Sequence, residues 1–228
     1  TDRGSLSVNP HLYAKLPYDP LKDFSYIGIA TDGPYVLVAN PSLNVKTLAE
    51  LVALAKAKPG TINYASFGIG SMPQMNLEAL NRKVGIDMVH VPYKGAGPAS
   101  QAVVAGDVGV TISSVPAVQG FIKDGRLRAL AVGSDKRFAL LPDVPTMAEA
   151  GVDGDILVPT YFALAAPAGT PPAIVAKLNA EMRKALADPA VAEKFATAGL
   201  VVNGSTPEAM TNLVKQDVPR FGALVKAI

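Results

Sequence analysis

Between residues 35 and 132 short apolar runs alternate with stretches of helical spacing, and no other feature restricts the fold as much. Residues 35–39 form a near-continuous apolar strand closed by Asn40-Pro41. Residues 47–57 follow as an amphipathic helix, with Leu48, Leu51, Val52 and Ala55 on one face and Pro59-Gly60 at its end. Residues 62–66, 88–91, 108–112 and 127–132 read as further strands. Between them lie a helix beginning near Met72, a short helix over 99–105 and another over 116–123. Strands that alternate with helices build βαβ units, so the expectation is a mainly parallel sheet covered on both faces.

The flanks are different. Asn9-Pro10, Leu16-Pro17 and Asp19-Pro20 make residues 1–32 turn-rich, with room for a short helix over 11–15, a strand over 26–30 and a turn at Asp32-Gly33-Pro34. After residue 132 the chain is looser, with a short helix expected over 146–150 and a turn over 151–155. An extended run over 157–166 precedes a helix over 171–187, opened by Thr170 and Pro171. A shorter helix restarts after Asp188-Pro189, and residues 200–202 read as a strand. The final helix begins either in a capping box of Ser205 and Glu208 or at Thr206 before Pro207. The helices at the back need a sheet to cover, and the strands available for it are few.

The stretch over 61–80 is the most informative for chemistry. A β-rich run enters the turn Phe67-Gly68-Ile69-Gly70-Ser71, and Met72, Met75, Leu77 and Leu80 then share a helix face. A glycine turn feeding a helix leaves N–H groups without intrahelical partners, at the positive end of the helix dipole. That arrangement reads as an anion cradle for a carboxylate or phosphate; read more plainly, it is a tight turn with Ser71 as N-cap. It is not a P-loop, because no Lys follows the glycines, and Pro73 stands where a dinucleotide fingerprint has its third glycine.

Composition narrows the function. A net charge of +2 without a basic block argues against nucleic acid, and the absence of Trp argues against base-stacking platforms. The lack of Cys removes disulfides and thiolate sites, and His11 and His90 lie in unrelated contexts with no metal-ligand spacing. No apolar run is long enough to span a bilayer, and no cofactor motif is present.

The motifs Asn9-Pro10-His11-Leu12-Tyr13, Leu16-Pro17-Tyr18-Asp19-Pro20, the 66–71 loop, Val91-Pro92-Tyr93-Lys94-Gly95, the run over 125–131, the run over 141–146 and the run over 166–171 occur in series. In this order the chain resembles the Bug, or TctC, family of extracytoplasmic solute receptors of tripartite tricarboxylate transporters. The resemblance implies a periplasmic-binding-protein-like (type II) α/β fold with two lobes, closing on a small di- or tricarboxylate that is passed to a membrane permease. It implies no enzymatic activity, no cofactor and a periplasmic location. Domain 1 maps to residues 1–32 plus 157–228, and domain 2, inserted, to residues 33–156. Members normally begin upstream of the first motif with a signal peptide, a strand and a cleft-wall loop, so domain 1 is expected to be incomplete at its N-terminus. Members often carry Asp-Asn where Ser113-Ser114 stand, which favours a plain carboxylate over an amino acid.

The candidate ligand contacts follow. Ser66, Gly68, Ile69, Gly70 and Ser71 form the cradle. Tyr93, Lys94, Gly95 and Gly97 sit at a strand's C-terminal end, where open α/β sheets bind ligands. Ser113 and Ser114 end the next strand, while Ser5 and Tyr161 are candidates from domain 1. The alternative from another class is an α/β enzyme acting on a small carboxylate or phosphate ester with Ser66 or Ser71 at the site. Its weakness is that neither His has a motif placing it near the loop, and no Gly-Xaa-Ser-Xaa-Gly elbow exists.

Overall fold

A computed structural model describes residues 1–154 and 156–227. The chain opens in a π-helical turn, Gly4–Val8, that runs directly into α1, Asn9–Leu12. The expected break at Asn9-Pro10 and helix over 11–15 are thus replaced by one helical run. The π-turn makes this possible: Asn9 N–H bonds the carbonyl of Gly4, and Pro10, which has no N–H, falls in the first turn of α1, where no donor is required. Strand β1, Phe24–Gly33, carries straight through Asp32 and Gly33. The turn expected there is absent because both residues pair with β7, Thr160–Pro167, Asp32 opposite Tyr161 and Gly33 opposite Thr160.

Then come β2, Tyr35–Ala39; α2, Leu48–Ala57; β3, Asn63–Ser66; α3, Met72–Val84; and β4, Val89–Pro92. Helix α4, Ala96–Ala105, starts three residues before the expected 99. Gly97 and Pro98 read as turn residues, yet the first positions of a helix need no N–H, so Pro98 is accommodated there. Next follow β5, Val110–Ser114; α5, Val115–Lys123; and β6, Arg128–Val132. The helix expected over 146–150 is a turn. Thr146 bridges to Val132, and a reciprocal capping box between Thr146 and Glu149 closes only one turn. The turn expected over 151–155 reaches Asp155, outside the described residues. The chain ends with α6, Pro172–Leu186; α7, Pro189–Thr197; β8, Val201–Val202; and α8, Pro207–Val225. Thr206 caps α8 through Ala209 N–H, while Ser205 Oγ accepts the N–H of Ile29 instead.

The chain divides into two compact units, residues 1–33 with 160–228, and residues 34–159. In the first, β7, β1 and β8 form an antiparallel sheet. Leu6, Tyr26, Ile29, Tyr161, Ala163, Met210, Val214 and Val218 pack into its core. Gly28 lets α6 approach: a Cβ there would meet Ser205 O at 2.6 Å and Asn179 Nδ2 at 2.8 Å. Phe162 and Leu164 of β7 and Ile174 and Leu178 of α6 stay exposed.

The second unit holds a five-stranded sheet in the order β4-β3-β5-β2-β6. β3 is parallel to both β4 and β5, but β2 is antiparallel to both β5 and β6. The α/β class is as expected, whereas one sheet is antiparallel and the other mixed rather than both mainly parallel. β2 is buried along its whole length, and a strand buried on both faces reads the same in either direction. Val36, Val38, Ala65, Ala99, Val103, Val115 and Val132 are among the residues that fill this core, each buried aliphatic side chain contributing about 1.5–3 kcal/mol for the larger types.

Candidate functional site

Because β4, β3 and β5 are adjacent and parallel, their C-terminal ends lie side by side. Each feeds a helix: β3 into α3, β4 into α4, β5 into α5. The N-caps of those helices are Ser71, Gly95 and Ser114, and none of the three caps its own helix through a side chain. Elsewhere Thr47, Asp188 and Thr206 do cap theirs. Three helix N-termini with unspent N–H groups and aligned partial positive charge therefore meet one end of this sheet. The structure thus brings together, within one unit, the 66–71 loop, the 93–97 segment and Ser113-Ser114.

The loop itself is more self-contained than its sequence suggests. Ser71 Oγ donates to Gly68 O at 2.7 Å, and Ser71 N–H to the same oxygen at 3.2 Å. Gly70 N–H donates to Gln74 Oε1 at 2.6 Å, and Gly68 N–H to Ser66 Oγ at 3.2 Å. These groups shape the turn. The donors left at the start of α3 are Met72 N–H and Gln74 N–H, Pro73 having none. Gly68 and Gly70 adopt φ of 127° and 80°, which only glycine takes readily. The Ile69 side chain projects from the turn, 75% exposed.

Ser66 is fully buried. Its Oγ lies 2.6 Å from His90 Nε2 and 3.0 Å from Gly68 O. A hydroxyl has one proton and two lone pairs. All three contacts are satisfied together when His90 and Gly68 N–H donate and the hydroxyl donates to Gly68 O. That assigns the imidazole proton to Nε2. The His90 ring stacks on Tyr64, centroids 5.0 Å apart, and Tyr64 OH donates to Glu78 Oε1 at 2.5 Å. Burial pushes the His90 pKa down, partly opposed by Glu78, while burial and the Glu78 bond push the Tyr64 phenol up.

His90 thus lies beside the loop although no sequence motif places it there. His90 and Gln74 are the residues that sequence reasoning missed. Gln74 had a signal, since Ser71 and Gln74 stand at capping-box spacing, although Gln74 reaches Gly70 rather than Ser71. For His90 the signal lay in the pairing of β3 with β4, which sets His90 opposite Tyr64.

Tyr93 is half-buried against the core of this unit, and its N–H donates to Ser66 O at 3.0 Å. Lys94 is exposed, Gly95 has φ 109°, and a Cβ on Gly95 or Gly97 would meet open space. Ser113 is buried with Oγ 3.3 Å from Ser100 Oγ, while Ser114 is half-buried at the strand end. In the other unit, Ser5 and Tyr161 are engaged internally. Ser5 Oγ donates to Asp2 at 2.8 Å. Tyr161 is wholly buried, with the Arg3 guanidinium 5.0 Å over its ring. Tyr161 packs into the core of its unit, and Ser5 bonds within the opening turn. Among the described residues no group of three or more His, Asp or Glu is placed to hold a metal, and no helix is long and apolar enough to cross a membrane.

The family model of the tripartite tricarboxylate transporter family receptor, TctC, matches residues 3–228. The chain belongs to this family. It is 36% identical over 221 residues to the protein BugT of Bordetella pertussis, covering 97% of this chain and 68% of BugT. It spans about two thirds of the length of BugT and of two further curated relatives. Among solved structures, Rpa4515 of R. palustris with adipate superposes with a TM-score of 0.85 at 30% identity, covering 99% of this chain and 75% of that one. MatC from Rhodopseudomonas palustris with bound malate gives 0.81 at 31%, covering 98% and 77%. The fold is that of TctC-type periplasmic binding proteins.

Proposed function

We propose that this protein is a non-enzymatic periplasmic receptor that captures a small dicarboxylate and hands it to the membrane permease of a tripartite tricarboxylate transporter. The two units correspond in this reading to the two lobes of the receptor, and residues 34–159 carry the carboxylate site. The observation that carries it is the convergence of the α3, α4 and α5 N-termini, uncapped by side chains, at the ends of β3, β4 and β5. Backbone donors and helix dipoles hold an anion without a buried counter-charge, and Lys94, exposed beside them, adds a solvated positive charge. Such neutral donors suit capture followed by release. The adipate and malate of the two structural relatives are both dicarboxylates, which supports that class. Ser113-Ser114, at the end of β5, supply hydroxyls and no fixed charge for an amino group.

The test is calorimetric titration of the chain with malate and adipate, alongside Gly70→Asp. That substitution puts a carboxylate in the turn where the ligand's own should lie, and it is expected to weaken binding tenfold or more, about 1.4 kcal/mol or above. Unchanged affinity in Gly70→Asp removes the loop from the site.

The pairing of Ser66 with His90 at 2.6 Å favours a second reading, an esterase-like enzyme. Full burial of Ser66 and the use of its hydroxyl within the loop count against a nucleophile. Turnover of a small carboxylate or phosphate ester that disappears in Ser66→Ala is the result that turns the reading toward catalysis.

A further inference from the structure

We propose that His90 is a positioning residue for the carboxylate loop: from strand β4 it holds Ser66, Ser66 holds Gly68, and the loop is thereby set to present the free donors of α3. This rests on the reading that the 66–71 loop is part of the ligand site.

The chain of contacts is short and half-buried, with Ser66 at its buried centre. His90 Nε2 reaches Ser66 Oγ at 2.6 Å. That hydroxyl accepts Gly68 N–H at 3.2 Å and lies 3.0 Å from Gly68 O. Gly68 O is also the acceptor for Ser71 Oγ and Ser71 N–H, and Ser71 is the N-cap of α3. One carbonyl thus gathers Ser66 and Ser71, and His90 fixes the hydroxyl that anchors it. The imidazole is itself held from behind: its ring stacks on Tyr64 of β3, and Tyr64 OH is fastened to Glu78 of α3. His90 thus ties β4 to β3, and Tyr64 carries the tie on to α3. With all three positions of the Ser66 hydroxyl occupied, Ser66 acts on the ligand through loop geometry and not by direct contact. Without the Nε2–H donor, Ser66 Oγ is left buried with an unfilled lone pair, and the hydroxyl that anchors Gly68 is held from one side fewer.

The experiment compares the full chain with His90→Phe, His90→Gln, Ser66→Ala and Gly70→Asp in calorimetric titrations with malate and adipate. Far-UV circular dichroism of each variant checks its fold. Phe keeps a ring on Tyr64 but has no donor; Gln places an amide N–H near the Nε2 position. His90→Phe is expected to weaken binding about tenfold, with Gln restoring most of the loss, because one charge-free hydrogen bond and the loop order it sustains are at stake. Ser66→Ala is expected to match His90→Phe, and the double variant to lose little beyond either alone. Wild-type affinity in His90→Phe, or equal weakening in Phe and Gln, overturns the positioning role. If His90→Phe does not fold, unchanged affinity in Ser66→Ala overturns it instead. Gly70→Asp separates the two claims. Normal binding there refutes the loop as the site, whereas its loss beside normal binding in His90→Phe refutes only the role of His90. A wild-type chain that binds neither acid overturns both.

Discussion

At the scale of single residues, His90 carries the sharpest consequence. Burial holds its folded pKa below the ordinary histidine value. The unfolded chain therefore takes up the proton more readily, and stability present near neutral pH is lost as pH falls below about 6.5 and through the lowered folded value. The urea midpoint of the wild type is expected to drop between about pH 7.5 and pH 5.5 by more than that of His90→Gln, which has nothing to titrate there. Equal drops in the two proteins would show that other groups dominate. The candidate site was only partly legible at this scale. Ser71, Gly70 and Gly68 announce themselves as a glycine turn before a helix. That the hydroxyls of Ser66 and Ser71 turn inward to Gly68 O depends on atomic geometry that no spacing rule encodes. His90 stayed hidden because its partner is on another strand, two positions beyond the residue it faces.

At the scale of elements, the helices were read from apolar spacing and the strands from apolar runs, and both signals are robust. Several differences arise where proline and glycine read as breakers. Pro10 and Pro98 sit in helix first turns, where a missing N–H costs nothing, and Gly33 remains in a strand because β7 pairs with it. Helix α3 is locked into its unit by Asn76, whose side chain donates to Val158 O at 3.0 Å and accepts Val158 N–H at 3.1 Å, all of it buried. Asn76→Leu leaves two buried backbone groups without partners and is expected to destabilise by about 2–5 kcal/mol, read from the urea midpoint. In the other unit, Gly28→Ala drives a Cβ against Ser205 O and Asn179 and is expected to cost about 1–3 kcal/mol. A neutral result at either position would mean that the backbone relaxes locally.

At the scale of the whole molecule, the alternation over 35–132 was enough for the α/β class, because helices that must bury one face against short apolar strands leave few architectures. Strand direction was not legible: β2 is apolar on both faces, so its antiparallel place between β5 and β6 emerges only from the folded sheet. Residues 34–159 form a continuous unit with its own sheet and core. Expressed alone, this segment is expected to unfold cooperatively in urea with native-like circular dichroism; a non-cooperative transition would show that it depends on the rest of the chain.

The central claim is that a dicarboxylate is held where α3, α4 and α5 begin. Its most direct measurement is titration of the ¹⁵N-labelled chain with malate, followed amide by amide. The expected result is saturable shifts concentrated on Met72 and Gln74, on Ala96 and Gly97, and on Val115 and Ala117, the first-turn donors of the three helices. Saturable binding whose shifts lie elsewhere, or no binding of malate or adipate at all, would contradict it.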